Sequence, residues 1–127
     1  MAIKFKTLPR KNPLDNAAPA KYYAAVTANG SVDFETLAEM ISEQSALSAT
    51  DCLAVLDRFE TNIVRELRQG RIVRLGKLGN FQISLSSFGY ETEEEVTAEA
   101  IKSSRILFRP TKKLRALLKN LNFSRTS

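Results

Sequence analysis

The feature that most constrains this chain is a switch of hydrophobic period, from helical to alternating, with a proline marking its far side. From Asp33 onward, Phe34, Leu37, Ala38 and Ile41 recur at the spacing of one helix face, and Leu53, Leu56, Phe59, Ile63 and Leu67 repeat that spacing over a longer stretch. After Gly70 the period falls to two. Phe81, Ile83 and Leu85 alternate with Gln82 and Ser84, the pattern of a strand with one buried face. About twenty residues later, Ile106-Leu107-Phe108-Arg109 reads as another strand. Pro110 then stops it, and Thr111 can cap a last helix striped by Leu114, Leu117, Leu118 and Leu121. The order over 31–122 is helix, helix, strand, strand, polar insert, strand, helix. That is an α+β arrangement.

Local signals mark the joints. Ser48-Ala49-Thr50-Asp51 reads as the start of the longer helix, with Ser48 as cap and Asp51 at the positive helix end. Gly70 suits the left-handed position that ends it. Ile72–Leu75 forms a short strand, and Gly76-Lys77-Leu78-Gly79 a turn. Upstream, Ile3 and Phe5 alternate with Lys4 and Lys6, while Pro9, Pro13 and Pro19 punctuate a loop before Lys21–Thr27. These two stretches are expected to pair as strands. The resulting domain division is a basic strand-pair extension at 1–30, a main domain at 31–122 and a tail at 123–127.

Composition excludes several classes of function. The chain has no histidine and one cysteine, Cys52. It therefore lacks the commonest general base, an intramolecular disulfide and the partners for zinc ligation. Ser86-Ser87 and Ser103-Ser104 have no histidine to activate them, and no glycine-rich phosphate loop occurs. No enzyme, cofactor, metal or small-molecule substrate is expected. No apolar run is long enough for a membrane span, and the basic start lacks an apolar signal region, so a cytoplasmic protein without membrane contact is expected.

Charge is segregated along the chain. Residues 1–30 carry five Lys/Arg against one Asp, residues 31–70 three Arg against eight acids, and residues 71–90 three basic residues alone. Residues 91–100 hold five Glu and no base, whereas 101–127 hold eight Lys/Arg and no acid. A basic face of this kind favours a polyanionic partner through steering and counterion release.

Gly79-Asn80-Phe81 and Phe108-Arg109-Pro110-x-Lys112, set within that order of elements, resemble the bacterial histone-like (HU/IHF) DNA-binding family. The 1–30 extension is similar to a Bacteroidetes-type subgroup with an added N-terminal strand pair. The resemblance implies an intertwined dimer with a helical-hairpin body. It also implies a three-stranded antiparallel sheet forming a saddle, a β-ribbon arm and a C-terminal helix. The partner it implies is double-stranded DNA, held in the nucleoid mainly through phosphates with low sequence specificity. A homodimer is expected, with a heterodimer open. Arg109 and Lys112 match the family's phosphate-contacting positions, with Lys113 adjacent. Arg71, Arg74, Lys77 and Arg105 are candidates by charge and location. Phe81 and Phe108 match core phenylalanines, and Phe59 and Ile63 are the expected dimer seam.

The chain departs from the family in the arm. The corresponding segment, 86–104, contains no proline to wedge between base pairs and carries Glu91, Glu93, Glu94 and Glu95, which a phosphate backbone repels. Phe88 and Tyr90 are expected to pack on the protein, as are Tyr22 and Tyr23. Arg10-Lys11-Asn12-Pro13 resembles the arm-tip motif in letters but lies outside the arm. The basic extension is either a second DNA contact or a packing element. A rival reading is a histone-like fold reused for protein interaction or assembly, with the acidic arm as its contact.

Overall fold

The computed structural model describes residues 2–126. The chain forms two compact units, one built from Phe34–Ala116 and the other from the segments before and after it. In chain order the strands and helices are β1 (Ile3–Arg10), β2 (Lys21–Val26), α1 (Phe34–Glu43), α2 (Ala49–Arg68), β3 (Val73–Leu75), β4 (Gly79–Ser87), β5 (Ile101–Pro110), α3 (Lys112–Arg115) and β6 (Phe123–Arg125).

In the Phe34–Ala116 unit, α1 and α2 form the expected helical hairpin. Ser48 Oγ accepts from the Asp51 amide at 3.1 Å, which satisfies one of the free donors at the start of α2. Gly70 ends it with φ +78°, its amide donating to the Leu67 carbonyl. At 10 and 20 residues, α1 and α2 span about 15 and 30 Å, so α1 can cover only half of its partner. Ala38, Cys52, Leu67 and Ala100 are the buried apolar residues among those described. Leu56 and Ile63 are half-buried. Phe59 stays 46% exposed.

The sheet of this unit runs β3-β4-β5, antiparallel throughout. The β4–β5 ladder outruns β3 and continues to Ser87 opposite Ile101, with an irregularity beside Ser86. The expected ribbon over 86–104 stops there. Residues 88–100 instead form two single 3-10 turns, Glu93–Glu95 and Ala98–Ala100. A glutamate-rich segment without alternation has little strand tendency, and Thr92 Oγ1 bonds Glu95 Oε1 at 2.9 Å across the first turn. Phe88 and Tyr90, expected to pack, are about half exposed, with the Lys102 ammonium 4.7 Å above the Phe88 ring.

The last helix is also shorter than its leucine stripe predicts. It keeps α geometry for four residues and tightens to 3-10 over Ala116–Asn120. Thr111 caps it, accepting from the Leu114 amide at 3.2 Å. Lys112 and Lys113, however, set positive charge at the positive helix end, and no acid offsets it.

The second unit contains a sheet of order β2-β1-β6. β1 and β2 pair antiparallel as expected, from Phe5 opposite Val26 to Arg10 opposite Lys21. β6 lies parallel to β1 on its other edge, with Ile3, Lys4 and Phe5 beside Phe123, Ser124 and Arg125. The Ile3 amide donates to the Asn122 carbonyl and the Thr126 amide to the Phe5 carbonyl, at 2.7 and 2.9 Å. Tyr22 and Tyr23, expected to pack, are exposed.

Candidate nucleic-acid interface

Side chains alternate across a strand, so the register of β3-β4-β5 fixes what each face presents. Phe81 and Phe108 are opposite residues whose ring centroids lie 4.9 Å apart, and with Val73, Ile83 and Ile106 they make one face apolar. The other face carries Asn80, Gln82, Ser84 and Ser86 from β4. Ser86 and Ser103 meet there through their hydroxyls at 2.8 Å. On this polar face Arg74, Asn80 and Arg109 form a continuous row across all three strands, and Arg105 stands opposite Ser84.

Sheet geometry gives the spacing of these charges. The Arg74 and Arg109 backbones flank Asn80 about 10 Å apart, and Arg105 and Arg109 are separated by about 13 Å along β5, with Leu107 between them. The ladder neighbours of all three arginines are uncharged, so no cross-strand carboxylate neutralises them. Gly79 allows the strands this approach. A Cβ there would lie 2.5 Å from the Arg109 carbonyl oxygen and 2.6 Å from Phe108 Cζ.

A second group of cations gathers at the end of the sheet. Thr111 Oγ1 donates to the Lys77 carbonyl, and the Thr111 amide donates to the Leu78 carbonyl at 3.0 Å. These bonds clamp the β3–β4 turn, where Gly76 adopts φ +54°, to the start of α3. Lys77, Lys112 and Lys113 therefore share one end of the unit, next to Arg109. Arg71 differs. It flanks the opposite end of β3, where its guanidinium bonds Glu66 and its amide donates to the Glu66 carbonyl. At the far end of the β4–β5 hairpin the charge reverses, with Glu91, Glu93, Glu94, Glu95 and Glu99 all exposed.

Sequence reasoning found the cations but missed the groups between them. Asn80, Gln82 and Ser84 supply neutral donors and acceptors among the arginines, and their signal was the period-two alternation with Phe81 and Ile83. Among the described residues no cluster of His, Cys, Asp or Glu could hold a metal ion, and no helix is long and apolar enough to cross a membrane.

Residues 1–125 match the family model described as an HU domain fused to a wHTH, Ig or glycine-rich motif. The chain belongs to this HU family. The match runs through both units of the HU-family chain. A similar fold occurs in a crystal structure from Bacteroides vulgatus ATCC 8482, described as a "Putative bacterial DNA binding protein", with a TM-score of 0.64 and 14% identity. That alignment covers 98% of this HU-family chain and 48% of the other, so the chain spans about half of that protein's length. No curated protein matches the sequence.

Proposed function

We propose that this HU-family chain is a non-catalytic protein that binds duplex DNA as a dimer, holding the phosphate backbone against the polar face of β3-β4-β5. The observation that carries the reading is the row Arg74–Asn80–Arg109, with Arg105 beside it, on a face whose ladder neighbours carry no charge. Guanidinium groups there meet phosphate oxygens, and Lys77, Lys112 and Lys113 extend the positive field past the sheet end. Contacts of this kind position DNA without reading its sequence, so the reading includes low specificity and, with it, an architectural role in the cytoplasmic nucleoid. The description of the Bacteroides vulgatus protein agrees with this assignment.

What one chain leaves uncovered supports the dimer. α2 exposes Val55, Phe59 and Val64, and its end faces a mostly apolar groove of about 350 Å³ lined by Val64, Leu67, Arg68, Ile83 and Ile106. Ile106 is 64% exposed. So much apolar surface on an α-helix and a sheet face is expected to be covered by a second copy.

The test is binding to a labelled 30-base-pair duplex across a salt series, with the mass of the protein measured in parallel. Affinity should fall linearly in log–log form, with a slope of about 0.9 per phosphate neutralised. Replacing Arg74, Arg105 and Arg109 by alanine should reduce that slope by about 2.7 for each chain engaged. A dimer whose binding is unmoved by the triple variant would refute the reading.

The acidic end of the β4–β5 hairpin favours a second reading, a histone-like fold used for protein interaction, with Glu91, Glu93, Glu94 and Glu95 as the contact or as a mask over the basic face. Changing those four to Gln should tighten DNA binding substantially if they mask it. Unchanged binding would leave them as solvated charge.

A further inference from the structure

The loop joining β1 to β2 concentrates charge in a way that pairing of the strands does not explain. Arg10 stands directly opposite Lys21 at the last rung of the ladder. Their Cβ atoms stand about 5 Å apart, and like charges at such a position cost stability. Lys11 follows immediately, and the three cations line a cleft of about 590 Å³ with Asn12, Pro13, Pro19 and Tyr23. The Arg10 guanidinium lies 5.8 Å from the Tyr23 ring centroid, which holds the side chain in place while leaving its donors free for an anion.

The loop is also pre-formed. Asn12 Oδ1 accepts from the Leu14 amide at 2.9 Å, and Asp15 Oδ1 accepts from the Ala17 amide at 3.1 Å. Two backbone turns reinforce them, Asp15 to Asn12 and Ala18 to Asp15. Asp15, the only acid in residues 1–30, therefore spends a carboxylate oxygen on the loop's own backbone. At the apex these turns hold Leu14 in solvent, 95% exposed, directly after Pro13. A large exposed apolar side chain on a hydrogen-bonded apex, between Pro13 and Asp15 and three residues after Lys11, has the exposure a groove wedge needs.

We propose that this loop is a second contact for duplex DNA, in which Arg10, Lys11 and Lys21 bind backbone phosphates and Leu14 enters the groove. Binding relieves the Arg10–Lys21 repulsion. The inference rests on the DNA-binding reading of the β3-β4-β5 face but concerns different residues, so the two can fail separately.

The experiment uses the full chain and the same 30-base-pair duplex. Lys11→Gln/Lys21→Gln leaves Arg10, Tyr23 and the loop's own hydrogen bonds in place, and should lower the salt slope by about 1.8 per chain engaged. Lys11→Arg/Lys21→Arg should restore it, which separates charge from folding. Leu14→Ser should weaken binding about tenfold at every salt concentration with the slope unchanged. A wild-type slope that falls in the Arg74/Arg105/Arg109 variant but not in Lys11→Gln/Lys21→Gln overturns this inference alone, and turns the cleft towards an acidic polypeptide. An unchanged affinity for Leu14→Ser overturns the wedge. A wild-type protein that ignores DNA at low salt overturns both readings.

Discussion

The two sheets have the same number of strands and opposite designs. In β2-β1-β6 no described residue is buried, and the strands are joined chiefly by their backbone ladders. In β3-β4-β5 alternation separates an aromatic face, which α2 reaches but leaves largely exposed, from a face that carries the arginines with Leu107 among them. The difference teaches how charge becomes usable. In β1, too, the pleat puts Lys4, Lys6 and Arg10 on one face; what sets β3-β4-β5 apart is the paired Phe81 and Phe108 that mark its other face, with the arginines opposite at spacings set by the pleat.

The largest break in this comparison should come from Phe59→Asp. For an isolated chain the change is mild, because Phe59 is already 46% exposed. If the apolar face of α2 is a dimer seam, a buried unpaired charge should abolish the folded dimer. Sedimentation and circular dichroism distinguish the two, and a well-folded monomer would make the exposed stripe ordinary surface. Gly79→Ala should come next, since the new Cβ meets a carbonyl oxygen and a phenyl ring. Overpacking of this kind costs about 2 kcal/mol, roughly 8–16 °C in melting temperature for a unit this size. An unchanged melt would mean that the strands separate there freely. The smallest effect is expected from ending the chain after Leu121, which removes the Asn122 carbonyl and β6 together. Amides of 3–5 should then lose about 1–2 kcal/mol of hydrogen-exchange protection, while those of 79–87 keep theirs. Equal losses in both sheets would show that the two units are coupled.

The sheet with an aromatic face was legible in the sequence, and the other only partly. Phe81, Ile83 and Leu85 announced β4, and Ser48 and Gly70 marked the ends of α2, because local chemistry and tertiary packing demand the same residues there. Of the candidate interface, Arg74, Arg105 and Arg109 could be named, but their alignment through Asn80 depends on register, which no single strand encodes. Arg71 carried the same charge signal as Arg74, yet its pairing with Glu66 depends on how the chain turns after α2. β6 gave no signal. Phe123-Ser124-Arg125 is too short to alternate, and its partner lies at the other end of the chain. The 88–100 insert misled for a different reason: length suggested a ribbon, while its glutamates and small turns favoured compact 3-10 structure.

The parallel pairing of β1 with β6 also sets an order in time. β1 and β2 are synthesised before β6, but a two-stranded hairpin is at best marginally stable in water. Their third strand follows every residue of the Phe34–Ala116 unit. Closing β1 onto β6 must therefore wait for that unit and join residues about 120 positions apart, a slow class of contact. During synthesis the arginine-bearing sheet can form while the β1–β2 hairpin is still provisional. The basic loop reaches its final setting only when the last strand arrives.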